Sequence, residues 1–111
     1  LNMFSDDLDM VVSVQEAKSN PYYVHFEEDN DGHLYRLKNE SFKRRQDCPK
    51  VWEINGSIYI INVRKLKSST ISSFKKNKKY VMKNPIYSVD IDDSFDWLIA
   101  KTIIDNKLLE I

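Results

Sequence analysis

The sequence predicts an α/β fold with a mixed sheet, on the strength of three stretches. Met10-Val11-Val12-Ser13-Val14 is a run of β-branched residues suited to a strand buried on both faces. Ser57 to Val63, centred on Ile58-Tyr59-Ile60-Ile61, is the strongest strand in the chain. Phe95, Leu98, Ile99, Thr102 and Ile103 then recur at helical spacing, which predicts a final helix whose apolar stripe packs on the sheet. Strands that feed a helix in this way read as α/β rather than all-β.

The 111 residues suit one domain or a piece of one, and with 41% hydrophobic and 12% aromatic residues they can bury a core. Seventeen basic and 17 acidic side chains cancel. That balance argues against a dedicated nucleic-acid binder, so no nucleic-acid partner is expected, even with Lys75, Lys76, Lys78 and Lys79 close together. Two glycines and three prolines leave no low-complexity segment. The single cysteine, Cys48, rules out an internal disulfide and fits a reducing cytoplasm. The run Ile58–Ile61 is far too short to span a bilayer, and no signal peptide is visible, so no membrane association is expected. Because the chain begins at Leu1 and not at a methionine, a fragment or a processed chain is expected.

In chain order, Leu1 to Phe4 reads as the last turn of a helix and Ser5 to Asp9 as an acidic turn. The first strand follows, and Asn20-Pro21 breaks the chain. Tyr22 to Phe26 and His33 to Leu37 flank an acidic segment ending in Asp31-Gly32, the signature of a hairpin that projects from the body. Lys38 to Lys50 is a charged loop, Val51 to Ile54 is extended, and Asn55-Gly56 is a favoured pair for a tight turn. Arg64 to Lys67 forms a short helical turn, Ser68 to Lys79 a solvated loop, and Tyr80 to Met82 a short strand. Two crossover helices of a complete doubly wound domain are missing, and there is no glycine-rich phosphate loop.

The chemistry concentrates at Ser88-Val89-Asp90-Ile91-Asp92-Asp93-Ser94-Phe95-Asp96-Trp97, read as a strand end entering a helix. On an extended backbone Asp90 and Asp92 share a face and Ile91 points the other way, toward a core. Two carboxylates so placed suit a hard cation such as Mg²⁺. The plainer reading is that Asp92 or Asp93 caps the helix and Asp96 adds negative charge to its first turn, which leaves Asp90 outside the cap. Arg44-Arg45-Gln46-Asp47 supplies arginine forks that grip carboxylates, or simply two solvated arginines, one paired with Asp47. The Asn55 amide either reaches a pocket or only shapes a turn, and Tyr59 either meets a ligand or packs in the core. His25, His33 and Cys48 lack the spacing of a zinc site.

Three motifs then stand in one order: Arg44-Arg45-Gln46-Asp47-Cys48-Pro49, Asn55-Gly56-Ser57-Ile58-Tyr59-Ile60, and Ser88-Val89-Asp90-Ile91-Asp92 with Asp96-Trp97. Together they resemble the C-terminal half of the acylneuraminate cytidylyltransferases, the CMP-sialic acid synthetases, from about Asp9 to the last helix. The resemblance implies the C-terminal part of a Rossmann-like nucleotidyltransferase domain with a mixed sheet. It implies an enzyme that transfers CMP from CTP to a nonulosonic acid such as N-acetylneuraminate, with pyrophosphate as the second product and Mg²⁺ as cofactor. By motif position Asp90 and Asp92 would hold the metal and Arg45 would clamp the sugar carboxylate. Gln46 and Asp47 would support the arginine loop, and Asn55 would line the sugar–nucleotide pocket. Tyr59 would contact the N-acyl region, with Phe74 beside it. The family is homodimeric, so residues 21–49 are expected to form a dimerisation arm and sugar-binding loop, with Tyr22, Tyr23 and Phe26 at the interface.

The chain departs from the pattern at Cys48, Ser57 and Glu53, the last standing where some members carry a second arginine near the sugar. The resemblance also implies an N-terminal CTP-binding half, with a glycine- and arginine-containing loop and a following lysine, that is not found in this sequence, the complete domain being about twice this length. The isolated chain is therefore expected to be inactive. A non-catalytic dimerisation or binding module is the alternative.

Overall fold

A computed structural model describes residues 2–37 and 44–109. The expectations for Leu1 and for positions 38–43 of the charged loop lie outside the described residues. The chain divides into two compact units, Leu1–Gln15 with Ile54–Ile111, and Glu16–Glu53.

The sheet has three strands in the order β4-β1-β5: β1 Met10–Glu16 at the centre, β4 Trp52–Ile61 and β5 Asn77–Val81 at the edges. It is mixed, as expected. β5 runs parallel to β1, with Met10 opposite Asn77 and Val14 opposite Val81. β4 runs the other way: Asn62 N–H donates to the Asp9 carbonyl at 2.9 Å, and at the far end Ala17 N–H donates to the Val51 carbonyl at 2.8 Å. A central strand is covered on both faces, and Met10, Val11, Val12 and Val14 are buried accordingly, with Leu8 and Phe74 completing the core.

Two boundaries differ from those read in the sequence. Asn55-Gly56 does not turn the chain. Residues 52–61 form one continuous strand with Gly56 inside it at φ +76°. A strand accommodates such a residue as a bulge, so the positive φ that marks hairpin turns is spent here on a kink. β5 begins three residues earlier than expected, within the lysine-rich stretch, because its ladder to β1 overrides the polar composition.

The connection from β4 to β5 is pinned by Asn62 and Asp9. Asn62 caps the short helix α1 (Val63–Ser68), accepting from Arg64 N–H at 3.1 Å, and its amide donates to the carbonyls of Asp6 and Leu8. A one-turn 3-10 segment, Ile71–Ser73, then leads to the buried Phe74. Asp9 Oδ2 accepts from the N–H groups of Lys75 and Lys76, each at 3.0 Å, just before β5 starts.

The last helix, α2, spans Ser94–Asp105. It closes on Lys107, whose φ of +54° lets Leu108 N–H reach the Ile103 carbonyl and Lys107 N–H reach the Ile104 carbonyl. The stripe expected to pack on the sheet is largely solvent-facing, with Phe95 66% and Leu98 58% exposed. The half-buried side is Ile99, Ala100 and Ile103. Ala100, Ile103 and Ile104 line a cleft of about 150 Å³ with Ile86, Val89, Ile91 and Leu109. Apolar residues run nearly all round this helix, so their spacing identified a helix without fixing its inward face.

In the second unit, β2 (Phe26–Glu28) and β3 (Leu34–Arg36) form the expected antiparallel hairpin. Its first strand starts later than read, because Pro21–Val24 is a turn closed by Tyr23 and Val24 N–H groups on the Asn20 carbonyl. Gly32 at φ +83° turns the tip, and Asp29 Oδ1 accepts from the N–H groups of Asp31 and His33. Cross-strand pairs hold the ladder: Tyr35 Oη donates to Glu27 at 2.8 Å, and Arg36 lies over the Phe26 ring at 5.4 Å.

The backbone N–H groups of Lys76 and then Lys75 hold the Asp9 carboxyl below the ordinary aspartate value of 3.8, with the Lys65 and Lys76 charges adding and burial opposing. A depressed folded-state pKa gives stability that is present above the unfolded value and lost as pH falls through the folded one. Asp9→Asn should therefore lower the melting temperature at neutral pH. It should also flatten the fall in melting temperature below about pH 4 relative to the parent chain.

Candidate functional site

The site is organised from β4. Where Gly56 takes φ +76° inside β4, the Asn55 side chain and the Ile58 N–H both reach Ser13 Oγ. Ser57 N–H donates to Asn55 Oδ1 at 3.2 Å. A backbone N–H can only donate, so this contact fixes which end of the amide is oxygen. Ser13 Oγ, fully buried in the middle of β1, accepts from Ile58 N–H at 2.8 Å and gives its own proton to Asn55 Oδ1 at 2.6 Å. The other end of the amide, Nδ2, donates to Ser88 Oγ at 3.1 Å and approaches Met82 Sδ at 3.3 Å. A second tie lies beside it, from Ser57 Oγ to the Tyr87 carbonyl at 3.0 Å. The Asn55 side chain is thus engaged at both ends within the chain.

Those ties end two residues before Asp90. Pro85–Ser88 is a 3-10 turn, with Asn84 accepting from Ile86 N–H at its start, and not the strand end expected here. Proline at its first position and the Asn84 cap favour a turn over a ladder. Val89 is extended at φ −70°, ψ 123°. Asp90 and Asp92 follow, both exposed. Ile91 is 50% exposed, with its buried part in the cleft under α2. Asp93 is the cap of α2, accepting from Asp96 N–H at 2.8 Å, while Asp96 Oδ2 reaches back to Asp92 N–H at 3.0 Å. These two contacts account for the carboxylates of Asp93 and Asp96. They leave the Asp90 and Asp92 carboxylates without a donor among the described residues. Two solvated carboxylates with no internal partner are oxygen donors of the type that Mg²⁺ takes while keeping several of its waters.

Tyr59, on β4, is 49% exposed rather than packed in the core. By strand alternation it lies on the face opposite Ile58 and Ile60. Those two line a cleft of about 320 Å³ with Val11, Ser13, Tyr80, Met82, Met3 and Phe4. Phe74 is 8% exposed and belongs to the core.

Arg45 and Gln46 belong to the second unit. They lie in a 3-10 turn, Arg45–Asp47, and both are exposed. Arg44 forms a two-pronged pair with Asp47, Nε to Oδ2 at 3.1 Å and Nη2 to Oδ1 at 3.3 Å. The partner of Asp47 is thus its neighbour Arg44. Arg45 instead lies over the Tyr23 ring at 5.1 Å, and no carboxylate among the described residues pairs with it. A guanidinium stacked on a ring is oriented while its donors stay available. The loop is anchored below by Asn20, which is buried and donates to the Pro49 carbonyl at 3.1 Å. Neither Ser13 nor Asn20 is marked as a site residue by its neighbours in sequence. Among the described residues, the one group of three clustered metal-ligand types is Asp29, Asp31 and His33 at the hairpin tip, where Asp29 already closes the turn.

No protein-family model matches the chain. Individual relatives do. Over 102 residues the chain is 30% identical to the post-translational flagellin modification protein B of Campylobacter coli, covering 92% of this chain and 43% of that protein. Over 99 residues it is 30% identical to the CMP-N,N'-diacetyllegionaminic acid synthase of Campylobacter jejuni subsp. jejuni, covering 89% of this chain and 41% of that protein. The chain is thus related to the CMP-nonulosonic acid synthetases, the group its three motifs resemble. It spans about two-fifths of the length of these curated relatives.

The division of labour among the acids is testable by denaturant melts. Asp93→Ala removes the helix cap and should cost about 1 kcal/mol. Asp90→Ala and Asp92→Ala, which break no internal hydrogen bond through their side chains, should stay within about 0.5 kcal/mol of the parent.

Proposed function

We propose that this chain supplies the metal-binding and sugar-binding part of a cytidylyltransferase that makes a CMP-nonulosonic acid from CTP. The reading rests on the unengaged carboxylates of Asp90 and Asp92, set in their motif in a chain related to a CMP-sugar synthase. In the reaction the anomeric oxygen of the sugar bonds to the α-phosphorus of CTP, the bond to the β-phosphate oxygen breaks, and pyrophosphate leaves. Mg²⁺ bound by Asp90 and Asp92 would neutralise charge on the phosphate oxygens. Little covalent work falls to the protein, so its side chains position and stabilise.

Arg45 is the carboxylate clamp in this reading. Its stacking on Tyr23 presents a fork matched to the planar carboxylate that every nonulosonic acid carries. Gln46 stands next to it in the same turn and is exposed. Tyr59 offers a half-exposed ring for an acyl group, and Phe74 is buried. The phosphate cradle comes from outside this sequence, which has no glycine-rich loop. The exposed hairpin with Phe26, together with Tyr22 and Tyr23 in the turn before it, serves as the arm that meets a second copy. A two-stranded ribbon with all six ladder residues exposed gains from being covered. The sugar is a nonulosonic acid, with N,N'-diacetyllegionaminate and N-acetylneuraminate the first to try.

The protein that carries these residues should release pyrophosphate from CTP and Mg²⁺ when one of these sugars is present. Asp90→Asn should cut that release by about a hundredfold or more, the scale seen when a charge-stabilising group is lost from a transition state. Release that persists in Asp90→Asn would remove the metal role. Silence across a panel of nonulosonic acids would favour a binding or dimerisation module instead. Arg45→Lys keeps the charge but loses the fork, and should raise the sugar KM about tenfold with the CTP KM unchanged.

A further inference from the structure

We propose that Ser88, fixed to the sheet through Asn55 and Ser13, is the positioning residue for the metal-binding aspartates. The inference rests on the metal reading of Asp90 and Asp92 and says how that pair is held.

A weak pair of carboxylates becomes a site only when both point at one place. Holding a ligand in productive geometry falls to the groups behind it. The segment from Ser88 to Asp92 has an anchor at each end. At the C-terminal end, Asp92 N–H donates to Asp96 Oδ2, so Asp92 is tied to the first turn of α2. At the N-terminal end, Ser88 Oγ accepts from Asn55 Nδ2 at 3.1 Å. Only Val89, Asp90 and Ile91 lie between.

The N-terminal anchor leads to the centre of the sheet. Asn55 Oδ1 holds the hydroxyl proton of Ser13, and Ser13 Oγ takes the N–H of Ile58. Each link has a fixed direction: N–H of Ile58 to Ser13, Ser13 to Asn55, Asn55 to Ser88. Chains of polarised hydrogen bonds in a part-buried setting resist rearrangement better than isolated ones. The Ser57 hydroxyl on the Tyr87 carbonyl adds a second link at the same point. Both links come from β4. Asn55 has its amide committed to this relay, so its place near the site is explained by what it holds rather than by what it would touch.

Ser88→Ala keeps the backbone and the size of the residue and removes one acceptor. The test uses Mn²⁺ as the probe and its line broadening of backbone amides in the intact chain, which registers weak sites and needs no turnover. In the parent chain Mn²⁺ should broaden the amides around Asp90 and Asp92. Asp90→Asn should abolish that effect. Ser88→Ala should require about tenfold more Mn²⁺, the low end of what removal of an outer-shell partner does. Ser88→Thr, which retains the hydroxyl, should respond at the parent concentration. Amides of β1 and β5 should keep their positions throughout. Equal response of Ser88→Ala and the parent would overturn the positioning role while the metal reading stands. Equal weakening in Ser88→Ala and Ser88→Thr would also overturn it, since the hydroxyl would then not be the cause. Unchanged broadening in Asp90→Asn, or none in the parent, would sink the metal reading itself and this inference with it.

Discussion

The structure depends on one buried hydroxyl. Ser13 sits in the central strand among valines and has no exposed surface. An unpaired hydroxyl there would cost about 1–3 kcal/mol, so its neighbours are constrained to answer it. Ile58 N–H and the Asn55 carbonyl oxygen do so. That requirement fixes the register of β4 against β1 at the bulge. It also fixes which way the Asn55 amide faces, and so what its nitrogen can reach. A valine at position 13 would suit the strand equally well by propensity, but the edge strand would lose its polar reference point.

The two units handle charge in contrasting ways. In the unit with the sheet, the acids that carry structure are used up: Asp9 by two backbone N–H groups, Asp93 and Asp96 by the helix start. Asp90 and Asp92 are not among them. In the other unit Asp47 satisfies Arg44, and Arg45 is held by a ring that leaves its donors available.

Much of this was legible in the residues. The buried strand at Met10–Val14, the hairpin around Asp31-Gly32 and the final helix are strong local patterns, and all three form. The cap at Asp93 was legible too, because the acidic spacing of a helix start is a local rule. The turn at Asn55-Gly56 was misread because positive φ serves a bulge as well as a hairpin, and only the strand partner decides which. The segment before Asp90 was misread as strand because its alternation is real but short, and the Asn84-Pro85 start imposes a 3-10 turn. The face of α2 was misread because Trp97, Ala100 and Ile104 spoil any single stripe. The Ser13–Asn55–Ser88 relay could not be seen at all, since its members are 42 and 33 positions apart and carry no mutual pattern.

Gly56 is constrained by handedness and not by room. A Cβ built there would meet nothing within 4 Å, yet the φ of +76° belongs to the region that L side chains avoid. The position is thus open to mirror-image chemistry. A D-amino acid introduced by synthesis would find its side chain in empty space and its backbone in a preferred basin. The kink that brings Asn55 to its partners is, in that sense, an achiral hinge pin that the ordinary genetic alphabet can fill in one way only without strain.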